Sequence, residues 1–248
     1  VLVSDPIDQA GIDILGQVAQ VDQRTGLSRD ELKSIIADYD ALMIRSGTQV
    51  TADVIEAADR LRIIGRAGVG VDNVDVPAAT QRGVLVVNSP EGNTIAAAEH
   101  ALALLLSLSR HVPQAHASMR AGAWDRKKYV GNELYKKVLG VVGLGKIGSH
   151  VAKVAKAMGM EVIAFDPFIS ADRAQQMQVR LTTLEDLFRQ ADYITLHIPR
   201  TPDTENLVNA ELLRSMKSTA RIVNCARGGI VDEAAIAEAI NQGVIAGA

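Results

Sequence analysis

One cysteine, Cys225, stands in 248 residues. It excludes an intrachain disulfide framework and suits a reducing compartment, so a cytoplasmic location is expected. No zinc-type ligand spacing occurs, and no metal is expected. Neither charge sign dominates, since 26 Lys and Arg face 29 Asp and Glu for a net charge of −3. Without a long basic stripe, that balance excludes a nucleic-acid footprint. The one dense basic cluster, Arg126-Lys127-Lys128, is short and reads as a solvated loop, open to use by an anionic substrate or a neighbouring subunit. A membrane-spanning run is also missing. The longest apolar segment, Thr94 to Ser109, is broken by Glu99-His100 and reads as a buried helix. There is no short-period repeat and no low-complexity tract. The chain begins at Val1 without a methionine, which leaves any targeting segment unread.

Present instead are 48% apolar residues, enough for one large core or two smaller ones. Short apolar runs alternate with helical patterns. Val1–Val3, Val18–Val21, Ala41–Ile44, Arg62–Ile64 and Val84–Val87 read as strands, with helices near 7–15, 29–37, 52–58 and 75–82. Turn formers at Asn88-Ser89-Pro90-Glu91-Gly92-Asn93 interrupt this series. A second series begins at Val138 and continues through Glu161–Phe165, Tyr193–His197, Arg221–Asn224 and Val244–Ala246. Parallel strands need crossover connections, so the pattern predicts an α/β chain of two doubly wound parallel-sheet domains, 1–90 and 91–248. The stretch 110–137 reads as a polar excursion. The chain ends on Gly243–Ala248, read as the start of a strand, so the second domain is expected to be truncated.

The most informative segment is Gly143-Leu144-Gly145-Lys146-Ile147-Gly148, between the apolar run Val138–Val142 and a helical stretch from Ser149 to Met158. It reads as a dinucleotide-binding turn. Gly143 permits the tight turn, Gly145 lets backbone approach a pyrophosphate, and Gly148 lets helix and strand pack closely. The N–H groups of the helix start then face the phosphates. Asp166 ends the next apolar run, 23 residues past Gly143, near the ~20-residue spacing of a ribose-binding acid. A carboxylate there accepts from ribose hydroxyls and repels a 2′-phosphate. NAD is therefore the expected cofactor, in preference to NADP.

Three separated motifs follow one another in order: Gly65-Arg66-Ala67-Gly68-Val69-Gly70-Val71-Asp72-Asn73, then Gly143 to Gly148, then Asn224-Cys225-Ala226-Arg227-Gly228-Gly229-Ile230-Val231-Asp232-Glu233. Together they resemble the D-isomer-specific 2-hydroxyacid dehydrogenases over essentially the whole chain. The resemblance implies a flavodoxin-like substrate domain followed by a Rossmann NAD-binding domain. Ile44-Arg45-Ser46-Gly47-Thr48 and the form of the 224–233 motif are most similar to the members that oxidise D-3-phosphoglycerate to 3-phosphohydroxypyruvate, the first step of serine biosynthesis.

Site roles follow from that resemblance. Arg227 is the catalytic residue, holding the substrate's carboxylate and carbonyl oxygen beside the cofactor; a planar guanidinium suits that task because it meets two oxygens at once. The Gly68-Val69-Gly70 loop offers backbone N–H groups as an anion nest for the substrate carboxylate, with Val69 also reaching the cofactor. Arg45, Ser46 and Arg66 are expected near a second anion, the phosphate; read from the residues alone, the two arginines also fit as ordinary surface charges. Lys146 and Ile147 complete the pyrophosphate turn, His197-Ile198-Pro199 covers the adenine end, and Cys225 and Ala226 pass near the nicotinamide. Cys225 is expected to be a small apolar strand-end residue and not a nucleophile.

Alcohol oxidation needs a base, commonly a histidine tuned by a carboxylate. None of His100, His111, His116, His150 or His197 matches the family position, and that pair is expected beyond Ala248. Two other readings stand beside this one: another D-2-hydroxyacid dehydrogenase acting on glyoxylate or hydroxypyruvate, and a non-catalytic NAD(H)-sensing corepressor or scaffold. The apolar helix and the 110–137 excursion predict a homodimer or homotetramer. No membrane partner is expected.

Overall fold

The computed structural model describes all 248 residues, which divide into two compact units, Val1–Asn93 and Thr94–Ala248. In the first unit the order is β1 (Leu2–Val3), α1 (Gln9–Gly16), β2 (Asp22–Gln23), α2 (Arg29–Ile35), a 3₁₀ turn (Ile36–Asp38), β3 (Ala41–Ile44), α3 (Ala52–Glu56), β4 (Ile63–Arg66), α4 (Val76–Gln81) and β5 (Leu85–Asn88). Local chemistry starts these helices. Asp8 caps α1 through Ala10 N–H, Asp75 caps α4 through Ala78 N–H, and Ser28 and Glu31 form a reciprocal capping box on α2. The strands form one parallel sheet in the order β2-β1-β3-β4-β5. Its core packs Leu42, Ile44 and Ile64 of the sheet against Leu32, Ile36, Val54 and Ile55.

The second unit contains α5 (Thr94–Arg110), α6 (Val112–Arg120), β6 (Val138–Val142), α7 (Lys146–Ala157), β7 (Glu161–Phe165), α8 (Ala171–Gln176), β8 (Arg180–Leu181), α9 (Leu184–Gln190), β9 (Tyr193–Leu196), α10 (Ala210–Ser215), β10 (Arg221–Asn224) and α11 (Glu233–Asn241). Its parallel sheet runs β10-β9-β6-β7-β8. Side chains alternate across a strand, and β6 obeys this: Leu139 and Val141 enter one core with α5 and α7, whereas Val142 enters the other with α9, α10 and α11. Gly140 lies on the second face, where a Cβ would stand 2.5 Å from Leu187 Cδ2, so α9 seats directly on the strand. Phe188 and Tyr193 are fully buried, each removing apolar area that stabilises the fold by about 2 kcal/mol. Both sheets match the expected doubly wound class.

Four local expectations are corrected. The strand placed at Val18–Val21 forms at Asp22–Gln23, because Val18 and Ala19 N–H both donate to Leu15 C=O and extend the end of α1, leaving Val18 84% exposed. Val244–Ala246 is a turn, with the N–H groups of Val244 and Ile245 on Ala239 C=O; only a single bridge, Arg221 to Gly247, touches β10. The excursion at 110–137 contains a helix, α6, opened by Pro113 in its first turn. Finally, β8 lies in a stretch with no strand signal.

Candidate functional site

In the first unit the candidate residues cluster at the carboxyl edge of β3 and β4. Arg66 ends β4 and Ile44 ends β3 as its register partner, so Arg45 follows directly beside Arg66. Arg45 and Ser46 are exposed. The guanidinium of Arg66 lies over Gly68, occupying the space a side chain there would need, and its Nε is buried without a partner. A buried N–H of that kind is a donor held ready for an acceptor. The loop at 68–70 is fixed by Ser89 N–H donating to Gly68 C=O at 2.9 Å and Asn88 Nδ2 donating to Val69 C=O at 2.6 Å. Both ties use carbonyls, and neither uses an N–H of Val69 or Gly70. The switch between β1 and β3, where ligands of open sheets bind, is bridged by Asp5, whose carboxylate accepts from Arg45 N–H and Thr48 N–H.

In the second unit the glycine turn follows β6 at the corresponding switch, between β6 and β9. Gly143 has φ +93°, a left-handed conformation that disfavours side chains, and a Cβ there would meet His197 C=O at 2.7 Å. A Cβ on Gly148 would stand 1.9 Å from Gly143 O. Gly145, by contrast, has nothing within 4 Å of that position, and as N-cap of α7 it supplies no side-chain cap. An open cradle therefore fronts the N-terminus of α7, which fits a pyrophosphate. Asp166 follows β7 and is tied to the turn: one carboxylate oxygen accepts from Leu144 N–H at 2.7 Å, the other from Phe168 N–H at 2.9 Å. Each oxygen keeps a lone pair for a ribose hydroxyl. These residues fit the adenosine diphosphate half of a dinucleotide.

His197-Ile198-Pro199 leaves β9 and walls the turn on its other side. His197 meets the Thr195 hydroxyl through Nε2 at 2.9 Å, and burial lowers its pKa to about 4, so the ring is neutral near pH 7. Cys225, Ala226 and Arg227 leave β10, one strand further along. Asn224 braces them, with Ala226 N–H donating to its Oδ1 at 3.0 Å and its Nδ2 donating to Arg227 C=O at 2.9 Å. Burial pushes the Cys225 thiol up, keeping it protonated near neutral pH.

Residues 102–248 match the family profile described as D-isomer specific 2-hydroxyacid dehydrogenase, NAD binding domain. The chain belongs to this family. Its second unit thus contains the NAD-binding domain of that family. The chain is 64% identical over 248 residues to D-3-phosphoglycerate dehydrogenase of Synechocystis sp., covering 100% of this chain and 45% of the relative. To the enzyme of the same name from Methanocaldococcus jannaschii it is 50% identical over 99% of this chain and 47% of the relative. The chain therefore spans about half the length of the curated relatives it matches. Among solved structures, the TT0316 protein of Thermus thermophilus is similar with TM-score 0.89 and 35% identity, over 97% of this chain and 78% of that one. A glyoxylate reductase from Paecilomyes thermophila gives TM-score 0.91 and 26% identity, over 99% and 78%.

Sequence reasoning passed over Asp5 and the buried polar residues Ser4, Thr48 and Asn73. Asn73 closes the first quoted motif and Asp5 follows the first apolar run, so position alone was the available signal.

Proposed function

We propose that the whole protein oxidises D-3-phosphoglycerate at C2 to 3-phosphohydroxypyruvate, the first step of L-serine biosynthesis. The observation that carries the substrate is the pair of arginines, Arg45 and Arg66, side by side at the ends of β3 and β4, with the 68–70 loop beside them. Two cations next to an anion nest suit a substrate with both a carboxylate and a phosphate. The name shared by the Synechocystis and Methanocaldococcus relatives supports the same reading.

Val69 and Gly70 receive the carboxylate through their N–H groups, and Arg45, Ser46 and Arg66 take the phosphate. Arg227 holds the carboxylate and the C2 oxygen, favouring the developing carbonyl. The Gly143, Gly145 and Gly148 turn, with Lys146 and Ile147, seats the pyrophosphate, and Asp166 takes the ribose. His197, Ile198 and Pro199 line the adenine side, and Cys225 and Ala226 the nicotinamide side. NAD, when bound, supplies the hydride-accepting ring. The hydroxyl proton leaves to the histidine and carboxylate that the family resemblance implies beyond Ala248. NADH formation by the full-length protein with D-3-phosphoglycerate, D-lactate and glycerate at equal concentration tests this. A clear preference for the phosphorylated acid is expected; equal or better turnover of the others removes the phosphate role of Arg45 and Arg66.

In this reading the domains expected at 1–90 and 91–248 take the roles of substrate domain and cofactor domain. A homodimer or homotetramer is proposed from the exposed Val112, Met119, Trp124, Val130 and Tyr135 on and after α6. No helix is long and apolar enough to cross a membrane, and a cytoplasmic location is proposed from the single cysteine.

A further inference from the structure

We propose that Asp5 and Asn73 are positioning residues that lock the Arg45–Thr48 loop for binding of the substrate's phosphate. This rests on the reading of Arg45 given above. One oxygen of Asp5 accepts from Arg45 N–H at 2.6 Å and from Thr48 N–H at 3.1 Å. From the other side, Asn73 Nδ2 donates to Arg45 C=O at 2.7 Å and to Thr48 C=O at 2.6 Å. Two side chains thus hold all four backbone polar groups of residues 45 and 48. The Ser4 and Thr48 hydroxyls meet at 2.9 Å beneath them.

Ser4, Asp5, Thr48 and Asn73 are each at most 7% exposed, whereas Arg45, Ser46 and Gly47 face solvent. The clamp is therefore interior and what it presents is exterior. Burying a carboxylate and an amide is costly unless they are hydrogen-bonded, and here their partners are the backbone groups of a single loop. Asn73 Oδ1 is even left buried without a partner. What the network provides is a fixed loop geometry, since four hydrogen bonds tie the backbone of residues 45 and 48 to two buried side chains. Gly47 belongs to the same device: a Cβ there would stand 2.5 Å from Asp5 Oδ1. Arg45 carries a long flexible side chain, and anchoring both its N–H and its C=O removes backbone freedom that phosphate binding would otherwise have to freeze.

The experiment is steady-state kinetics of the full-length protein with D-3-phosphoglycerate and with an unphosphorylated 2-hydroxy acid, for Asn73→Ala, Gly47→Ala, Arg45→Ala and the double variant Arg45→Ala/Asn73→Ala. Gly47→Ala crowds the Asp5 carboxylate while removing none of the hydrogen-bonding groups, and serves where Asn73→Ala does not fold. For either clamp variant we expect KM for D-3-phosphoglycerate to rise about tenfold, with kcat, KM for NAD and KM for the unphosphorylated acid within about twofold. In the double variant the loss should not exceed that of Arg45→Ala alone. An unchanged KM in Arg45→Ala removes the phosphate role of Arg45, and this proposal with it. A raised KM in Arg45→Ala beside an unchanged KM in folded clamp variants overturns the positioning role alone. A clamp variant that raises KM for both acids equally also overturns it.

Discussion

The carbonyl oxygen of Gly143 lies 1.9 Å from where a Cβ on Gly148 would stand. Strand end and helix start are therefore in backbone contact, and no residue larger than glycine fits at 148. Gly148→Ala should destabilise the second unit by about 1–3 kcal/mol, because backbone cannot move aside as a side-chain tip would. Gly145→Ala is the contrast. Nothing lies within 4 Å of its Cβ, so stability should change by less than about 0.5 kcal/mol, while the methyl group enters the pyrophosphate space and weakens NAD binding. Thermal unfolding and NAD titration of the two variants separate these effects; a Gly145→Ala protein with unaltered NAD affinity would place the pyrophosphate elsewhere.

Asp166 carries a second test. Because its carboxylate accepts from both Leu144 N–H and Phe168 N–H, Asp166→Asn retains an acceptor for one of them and should fold. Losing the charge should raise KM for NAD about tenfold and reduce discrimination against NADP, whose 2′-phosphate the carboxylate repels. Kinetics with both cofactors check this, and an unchanged NAD-to-NADP ratio would deny Asp166 that role.

His197 gives a pH dependence whose sign is fixed. Its folded pKa, lowered to about 4 by burial, lies below the ordinary 6.5, so the unfolded chain binds the proton more readily. The stability conferred by the neutral ring is fully present above pH 6.5 and is lost as pH falls toward 4, by up to about 3 kcal/mol. Replacement by Gln should flatten that part of the denaturation profile. An identical slope in the variant would mean that other groups cause it.

Arg227→Lys keeps the charge but loses the fork. Turnover should fall about 100-fold with KM for NAD little altered, since a point charge cannot span two oxygens. Wild-type turnover would exclude the proposed role.

The glycine turn, Asp166 and the strand-end residues were legible because each rests on local chemistry: a short apolar run, the turn after it, and a side chain at a fixed offset. The same reasoning placed β2 too early and missed β8, each two residues long, which carry too little alternation to register. It overread Val244–Ala246, where an apolar run serves to pack a turn under α11. The clamp on Arg45 was invisible for another reason. Asp5 and the N–H it binds are 40 residues apart in sequence, and a side chain reaching a distant backbone leaves no spacing to read.

All the strand pairings in the two sheets are parallel, so neither sheet contains a hairpin to start from. As the chain emerges, β6 meets β7 first, and Gly143 N–H can then take Phe165 C=O at 2.8 Å. The other flank waits for β9, with Val138 and its partner Asp192 lying 54 residues apart. The two walls of the glycine turn thus come from strands at very different distances along the chain, β7 near and β9 far. Pairings this distant in sequence are slow to form, so the β9 side of the cradle is expected to close after the β7 side.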